Sequence, residues 1–519
     1  MAKQRFKAAL VTASFPMLST LQPRTVVNPQ LDINVRTPRN PNSTEAHSDY
    51  SIPQPLYMEN VLPTSEGLQS VAFNLVIGSP GVGFGADQAI VLRDDQERNA
   101  ILVPAGGDNF VFVAGVGWRS LSPVAGAGRQ VTRAYVNGRT FICYSGLGIF
   151  EYNDAAGTMD NLPIAGLTAA EIKGIGSSSN YLLAYTSFEV HWSSLVDPLD
   201  FVPSLTTGAG FAIPQDIKAE IRAVLGISGG YIVYTLKNAI AAVYTNNARA
   251  PFTFKEVSNA GGVKGYEQVT SEQTSGSHYA WTTGGLQKIT MQGATPVDPE
   301  VSDFLAGQLW ESYDPLTHTL TQHTAAYPEF AVKLAFIASR WLVISYGTVS
   351  RTVFNYALVF DTVLGRWGKL QAEHIDCFSY PFYEITGIDD GPSSKNTMGF
   401  MQADGAIFLL DMTYRKPTTQ RGVVILGKFQ LVRGSMMTLQ QAALEGAYMG
   451  NASTPIRTFV QPSLDGFNTL PPVPLVALKT SPKAMQYAKR VTGLNFNLIV
   501  EGTFALTSCL MEVTQDGDR

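Results

Sequence analysis

Apolar and polar positions along this chain alternate in short runs separated by glycine pairs. IVLRD (90–94), NAILVP (99–104) and NFVFVAG (109–115) follow one another closely, and QVTRAYVNGRTFICYSGLGIFEYND (130–154) and YLLAYTSFEVHWSS (181–194) repeat the pattern. IRAVLGISGGYIVYTLKNAIAAVYT (221–245), SHYAWTTGGLQKIT (277–290), KLAFIASRWLVISYG (333–347), FNYALVFDTVLGRWGKL (354–370) and TMGFMQADGAIFLLD (397–411) continue it. A period of two sends successive side chains to opposite faces, and the arms are rich in β-branched and aromatic residues, so each run predicts a hairpin. The predicted tips are Asn137-Gly138, Gly229-Gly230, Gly284-Gly285 and Asp404-Gly405, the pairs that two-residue hairpin turns require. Helical periodicity is scarce: only AAEIKGI (169–175) and VSDFLAGQLWESY (301–313) read as short helices.

Hairpin units recurring about every 40 to 50 residues predict a β-propeller or a propeller-like ring, with no blade number set by the degenerate repeat. The fold class expected is therefore mainly β, in three parts. Residues 1–80 form an extended N-terminal arm and platform segment. Residues 81–415 form the propeller-like domain, and 416–519 a C-terminal antiparallel β-sandwich built from RGVVILGKFQLVRG (421–434), IRTFVQP (456–462) and RVTGLNFNLIVEGTFALTSCLMEVTQDG (490–517). Pro23, Pro29, Pro38, Pro41, Pro53 and Pro55 exclude a helix from the arm, and its recurring apolar residues (Phe15, Leu21, Leu31, Ile33) suit a segment docked on another surface.

Composition narrows the function classes. At 519 residues the chain exceeds one core, and its 47 glycines and 29 prolines suit turn-rich β structure. Charged residues make up only 15% and the formal charge is −5, which argues against an electrostatic trap for nucleic acid. Cys143, Cys377 and Cys509 lie far apart and read as small core residues in a reducing compartment. The apolar run near the N-terminus is too short and interrupted for a signal peptide, and no run of apolar residues is long enough to predict a membrane span.

The candidate chemistry is sparse. In VHWSSLVDPLDF (190–201), His191 and Asp197 offer an acid/base pair, yet no nucleophile or metal ligand accompanies them. Its other residues read as structure: Asp197-Pro198 presets a turn, and Trp192 and Phe201 are placed to pack across it. In ALVFDTVLGRWGKL (357–370), Asp361 is placed to accept turn amide hydrogens, Gly365 to supply a positive φ, and Trp367 to cover the hairpin as the strand returns. The six histidines form no HExxH; His318 and His323, five apart, are a weak metal signal. GSPGVGFG (78–85) lacks the GK[ST] of a phosphate loop, and GIDDGPSSKN (387–396) lacks calcium-loop spacing. No catalytic residue, cofactor or metal is expected.

Three segments carry a resemblance. YMENVLPTSEGLQSV (57–71), VHWSSLVDPLDF with its Trp192, Ser193, Asp197, Pro198, Asp200 and Phe201, and FNYALVFDTVLGRWGKL with its Asn355, Phe360, Asp361, Gly365 and Trp367 resemble elements of the tail nozzle (tail tubular protein B, or tail hub) family of short-tailed bacteriophages. TGLNFNLIVEGTFALTSCLMEV (492–513) is similar to that family's closing strand pair. The resemblance implies a structural, non-enzymatic homohexamer in the virion tail, assembled in the bacterial cytoplasm. It would sit below the tail adaptor ring and the portal, bear fibres or spikes, and pass double-stranded DNA non-specifically through its lumen. A sparsely charged, mildly acidic wall suits sliding DNA, because basic residues would hold phosphates by counterion release. The alternative is a propeller enzyme or binding protein acting on host surface polysaccharide.

Overall fold

The structure is a computed structural model that describes residues 3–10, 13, 47–51, 55–81, 86, 88–93, 99–105, 108–121, 129–153, 155–247, 250–272, 276–307, 309–326, 330–350, 352–382, 398–411, 420–429, 436–450, 455–464, 469–481 and 483–515. The arm prolines from Pro23 to Pro53, the tip of GSPGVGFG and all of GIDDGPSSKN lie outside those residues.

The chain is mainly β and its central part is a propeller. Among the described residues, seven units of four antiparallel strands follow one another, at 90–121, 131–161, 174–212, 221–256, 269–296, 331–374 and 376–411. They are called blades 1 to 7 below. Blade 7 has only three strands from its own stretch. Its fourth is Ala72–Ile77, which pairs antiparallel with Ile407–Asp411 and so ties early sequence to late. The alternation of side chains gives each blade two faces, and each face meets a neighbour. Tyr144 of blade 2 packs with Leu102 of blade 1. Blades 2 and 3 share Phe141, Ile175 and Phe201. Tyr181, Trp192, Tyr231 and Phe252 lie between blades 3 and 4, and Tyr234 and Ala280 between blades 4 and 5. Tyr279 and Leu334 share a core across blades 5 and 6, Val359 and Phe400 across 6 and 7, and Ile407 and Ile101 across 7 and 1. Seven shared cores for seven blades close the ring.

The hairpin tips follow the turn chemistry. Val136 pairs with Arg139, leaving Asn137 (φ 50°) and Gly138 (φ 83°) as a two-residue turn with both dihedrals positive, which asparagine and glycine tolerate best. The two expected helices are corrected. Within 169–175 only Ala169–Glu171 turns, as a single 3₁₀ turn, before the strand Gly174–Ser178 begins. Within 301–313 the helix is α1, Pro299–Ala306; Asp298 caps it by accepting the Glu300 amide hydrogen, and Pro299 opens its first turn. The remainder is extended: Leu309–Asp314 pairs with Thr319–Thr324 as a hairpin inserted between blades 5 and 6.

A two-sheet sandwich packs on the propeller. One sheet runs Tyr57–Glu59, Gly422–Phe429, Asn495–Gly502, Arg457–Ser463, Val473–Pro474. The other runs Val61–Pro63, Leu68–Ser70, Phe504–Gln515, Met437–Met449, Ala484–Gly493, Val476–Ser481, and it is continuous with blade 6 because Val61 pairs with Lys369. Early strands therefore complete both sheets, and Lys3–Ala9 lines up antiparallel to Phe504–Gln515. The shared core runs unbroken from Leu334 and Leu358 of blade 6 through Met58 to Leu498 and Phe504 of the sandwich.

Candidate functional site

The segment 190–201 is built as a corner. Trp192 ends the third strand of blade 3, is almost fully buried, donates its indole hydrogen to the Gly208 carbonyl (2.9 Å), and stands edge-on to Phe252 at 5.4 Å. Ser193 and Ser194 accept the backbone hydrogens of Leu182 (3.0 Å) and Val196 (3.0 Å). Asp197 and Asp200 each accept the amide two residues on, from Leu199 and Val202 (3.0 Å in both cases), which holds the turn around buried Pro198. One expectation is corrected here. Trp192 and Phe201 do not share a core: Trp192 faces blade 4, whereas Phe201 faces blade 2. The corner thus sends one ring into each of two neighbouring interfaces. His191 and Asp197 are not partnered either. The imidazole Nε2 lies 3.0 Å from Glu189 and the ring stacks on Phe211, while Asp197 is taken up by its turn.

The second motif is a clasp. Asp361 is fully buried; its Oδ1 accepts the amide hydrogens of Val363 (3.0 Å) and Leu364 (3.1 Å), and Arg340 donates to both carboxylate oxygens, the closest contact being 2.6 Å. Gly365 has φ 66° and donates its amide hydrogen to the Asp361 carbonyl (2.8 Å). Trp367 packs on Phe360 at 4.6 Å and donates its indole hydrogen to Asp298 (3.1 Å), the residue that caps α1. A hairpin tip, an insertion helix and blade 6 are fastened by one group of side chains.

At the junction of propeller and sandwich lies a polar cluster that the sequence did not announce. Lys369 is buried, donates to the Tyr57 hydroxyl (3.2 Å) and to the Glu311 carbonyl (3.3 Å), and sits 4.5 Å from the ring centres of Tyr57 and Tyr356. Tyr57 in turn donates its hydroxyl hydrogen to Glu59. Burial pushes the ammonium of Lys369 down to about 8 and the carboxyls of Glu59 and Glu311 up, each opposed by the neighbouring opposite charge. Sequence pattern places Lys369 on a strand among apolar neighbours; nothing in the pattern shows that Glu59, some three hundred positions earlier, shares its pocket.

A cavity of about 810 Å³ opens on the ring axis, lined by blades 1, 2, 5, 6 and 7. Asp376 seals its seam. One oxygen accepts from the Ala89 amide (2.8 Å), the other from Lys333 (2.8 Å) and the Cys377 amide (2.8 Å), so blades 1, 6 and 7 meet at one carboxylate. Among the described residues, no three histidine, cysteine or acidic side chains converge as a metal site. His318 stacks on Phe459 and His323 on Trp310, so the two are held by different aromatic partners.

Two further histidines set an acid limit. His278 bonds to Tyr234 (2.8 Å) and the Gly226 carbonyl (2.9 Å), and His374 to Ser345 (2.7 Å) and the Ala372 carbonyl (2.8 Å); burial pushes each down to about 4. Their folded values lie below the unfolded one, so the unfolded chain binds more protons between about pH 6.5 and 4. Stability is expected to fall as pH drops through that window, by up to roughly 3 kcal/mol per histidine. Urea unfolding of the protein and of His374→Gln at pH 7 and pH 5 checks this; the variant should lose less than the parent.

No protein-family model matches the chain, and no curated protein matches it. Among solved structures it is similar to the extracellular domain of a hybrid two component system from B. thetaiotaomicron, at 10% identity and TM-score 0.38, over 74% of this chain and 44% of that one. It is also similar to virginiamycin B lyase from Staphylococcus aureus (9%, TM-score 0.37, 66% of this chain and 99% of that one) and to the WD40 β-propeller domain of Doa1 (8%, TM-score 0.39, 66% and 98%). The chain spans less than half the length of the first of these. Likeness at this level speaks to neither chemistry nor partner.

Proposed function

We propose that this chain is a structural subunit of a ring-shaped bacteriophage tail nozzle, part of the channel that retains and ejects the genome. The observation that supports the reading is how its motif residues are used. Trp192, Asp197, Pro198 and Phe201 fasten blade 3 to both neighbours, and Asp361, Gly365 and Trp367 fasten blade 6 to the insertion helix. Side chains engaged in turns and packing suit a structural subunit. The low charge of the chain suits both broad subunit contacts and a wall past which DNA slides.

Expression with the tail adaptor of the same particle tests this. The expected product is a ring of six on the adaptor by mass photometry and electron microscopy, and the chain should be found at the distal tail of the intact particle. A chain that stays single beside assembled adaptor, and is absent from particles, would sink the proposal. Release of sugars from host capsule on mixing would favour the polysaccharide reading instead.

A further inference from the structure

We infer that the cavity on the propeller axis binds a small molecule bearing an oxyanion, a carboxylate or phosphate carried on a compact ring. Its volume, about 810 Å³, falls in the range of roughly 300–1,000 Å³ typical of small-molecule sites. Its walls are split in character. Phe336 and Phe378 supply an apolar face, while Arg129, Arg133 and Lys333 supply cations. Asp376 and Glu267 share the lining, so the three cations leave one net positive charge there.

What matters is which of these charges is already used. Asp376 is saturated by Lys333 and two backbone amides. Arg129 gives one terminal nitrogen to the Ser145 carbonyl (2.7 Å) and Arg133 gives one to the Val91 carbonyl (2.7 Å). Those carbonyls fix the two guanidinium groups without neutralising them. The remaining hydrogens of each fork meet no partner among the described residues. A guanidinium held in place with donors to spare matches the planar geometry of a carboxylate or phosphate. Glu267 is the one other carboxylate in the lining and opposes an anion there. The apolar face then takes the body of the ligand, so charge and ring are both recognised.

The inference does not depend on the nozzle reading. Thermal unfolding of the full chain at fixed ionic strength tests it, with glucuronate, inorganic phosphate and neutral glucose as probes at about ten millimolar. Glucuronate should raise Tm by about 2 °C or more through mass action, and glucose should leave it unchanged. Arg133→Gln, at an exposed position, should keep the unliganded Tm and abolish the rise, and Glu267→Gln should enlarge it. Arg129→Gln serves the same purpose if the first variant fails to fold. A response to phosphate alone would show that the cations take a free anion and would overturn the ring-bearing ligand. No response to either anion, or a rise that survives both arginine substitutions, overturns the inference.

Discussion

Replacing Lys369 with methionine is expected to lower the unfolding free energy by about 3–5 kcal/mol, and adding Glu59→Gln to recover most of the loss. The reason lies in what the single change leaves behind. Lys369 sits between two tyrosine rings and reaches Glu59 through the Tyr57 hydroxyl, so its removal strands a carboxylate that burial already disfavours. Breaking a buried charge pair from one side costs far more than removing both members, because the survivor keeps its desolvation penalty and loses its compensation. Methionine keeps much of the lysine stem's volume, which limits the packing part of the effect. Urea titrations of the two single variants and the double variant complete the cycle. Additive losses would show that the two charges do not act together.

Asp361→Ala should be nearly as severe, with a loss of about 3 kcal/mol or more, and its signature should differ. Five hydrogen bonds end on this one buried carboxylate: two turn amides and three from Arg340. Alanine leaves the two amides without their acceptor inside the hairpin and frees Arg340 over the Trp341 ring. Asp361→Asn keeps one amide acceptor and should lose less. Hydrogen exchange at Val363 and Leu364 should accelerate in both variants. Equal losses for the two, with unchanged exchange, would mean that the turn does not rely on this side chain.

Much of the ring was legible in the sequence because its signals are local. Asn137-Gly138 and the Asp361–Gly365 turn are specified by residues within five positions, and period-two alternation marks nearly every blade strand. What escaped was set at long range. Met437–Met449, MTLQQAALEGAYM, is rich in helix-favouring alanine, leucine and glutamine, yet it is a central strand between Ala484–Gly493 and Phe504–Gln515. Its partners on both sides decide its state, and propensity yields to them. The short helix expected within 301–313 ends at Ala306, since Leu309–Asp314 finds a partner in Thr319–Thr324. Trp192 and Phe201 lie close in sequence, but the strand and its loop turn them to opposite sides of blade 3. The cluster around Lys369 and the axial cavity both join elements from distant parts of the chain, and no pattern along one segment could reveal them.

Pairing between strands at opposite ends of the chain also dictates the order of events during synthesis. Ala72–Ile77 leaves the ribosome early, but its partner Ile407–Asp411 emerges more than three hundred residues later. Leu68–Ser70 waits longer still for Phe504–Gln515. The first six blades can stack as they appear, while the seventh stays open and the sandwich lacks most of its strands. Contacts at such separation form slowly, because the loop must be closed before any bond rewards it. A nascent chain stalled shortly before residue 407 therefore holds an unsealed toroid with bare sheet edges, the species most in need of a chaperone.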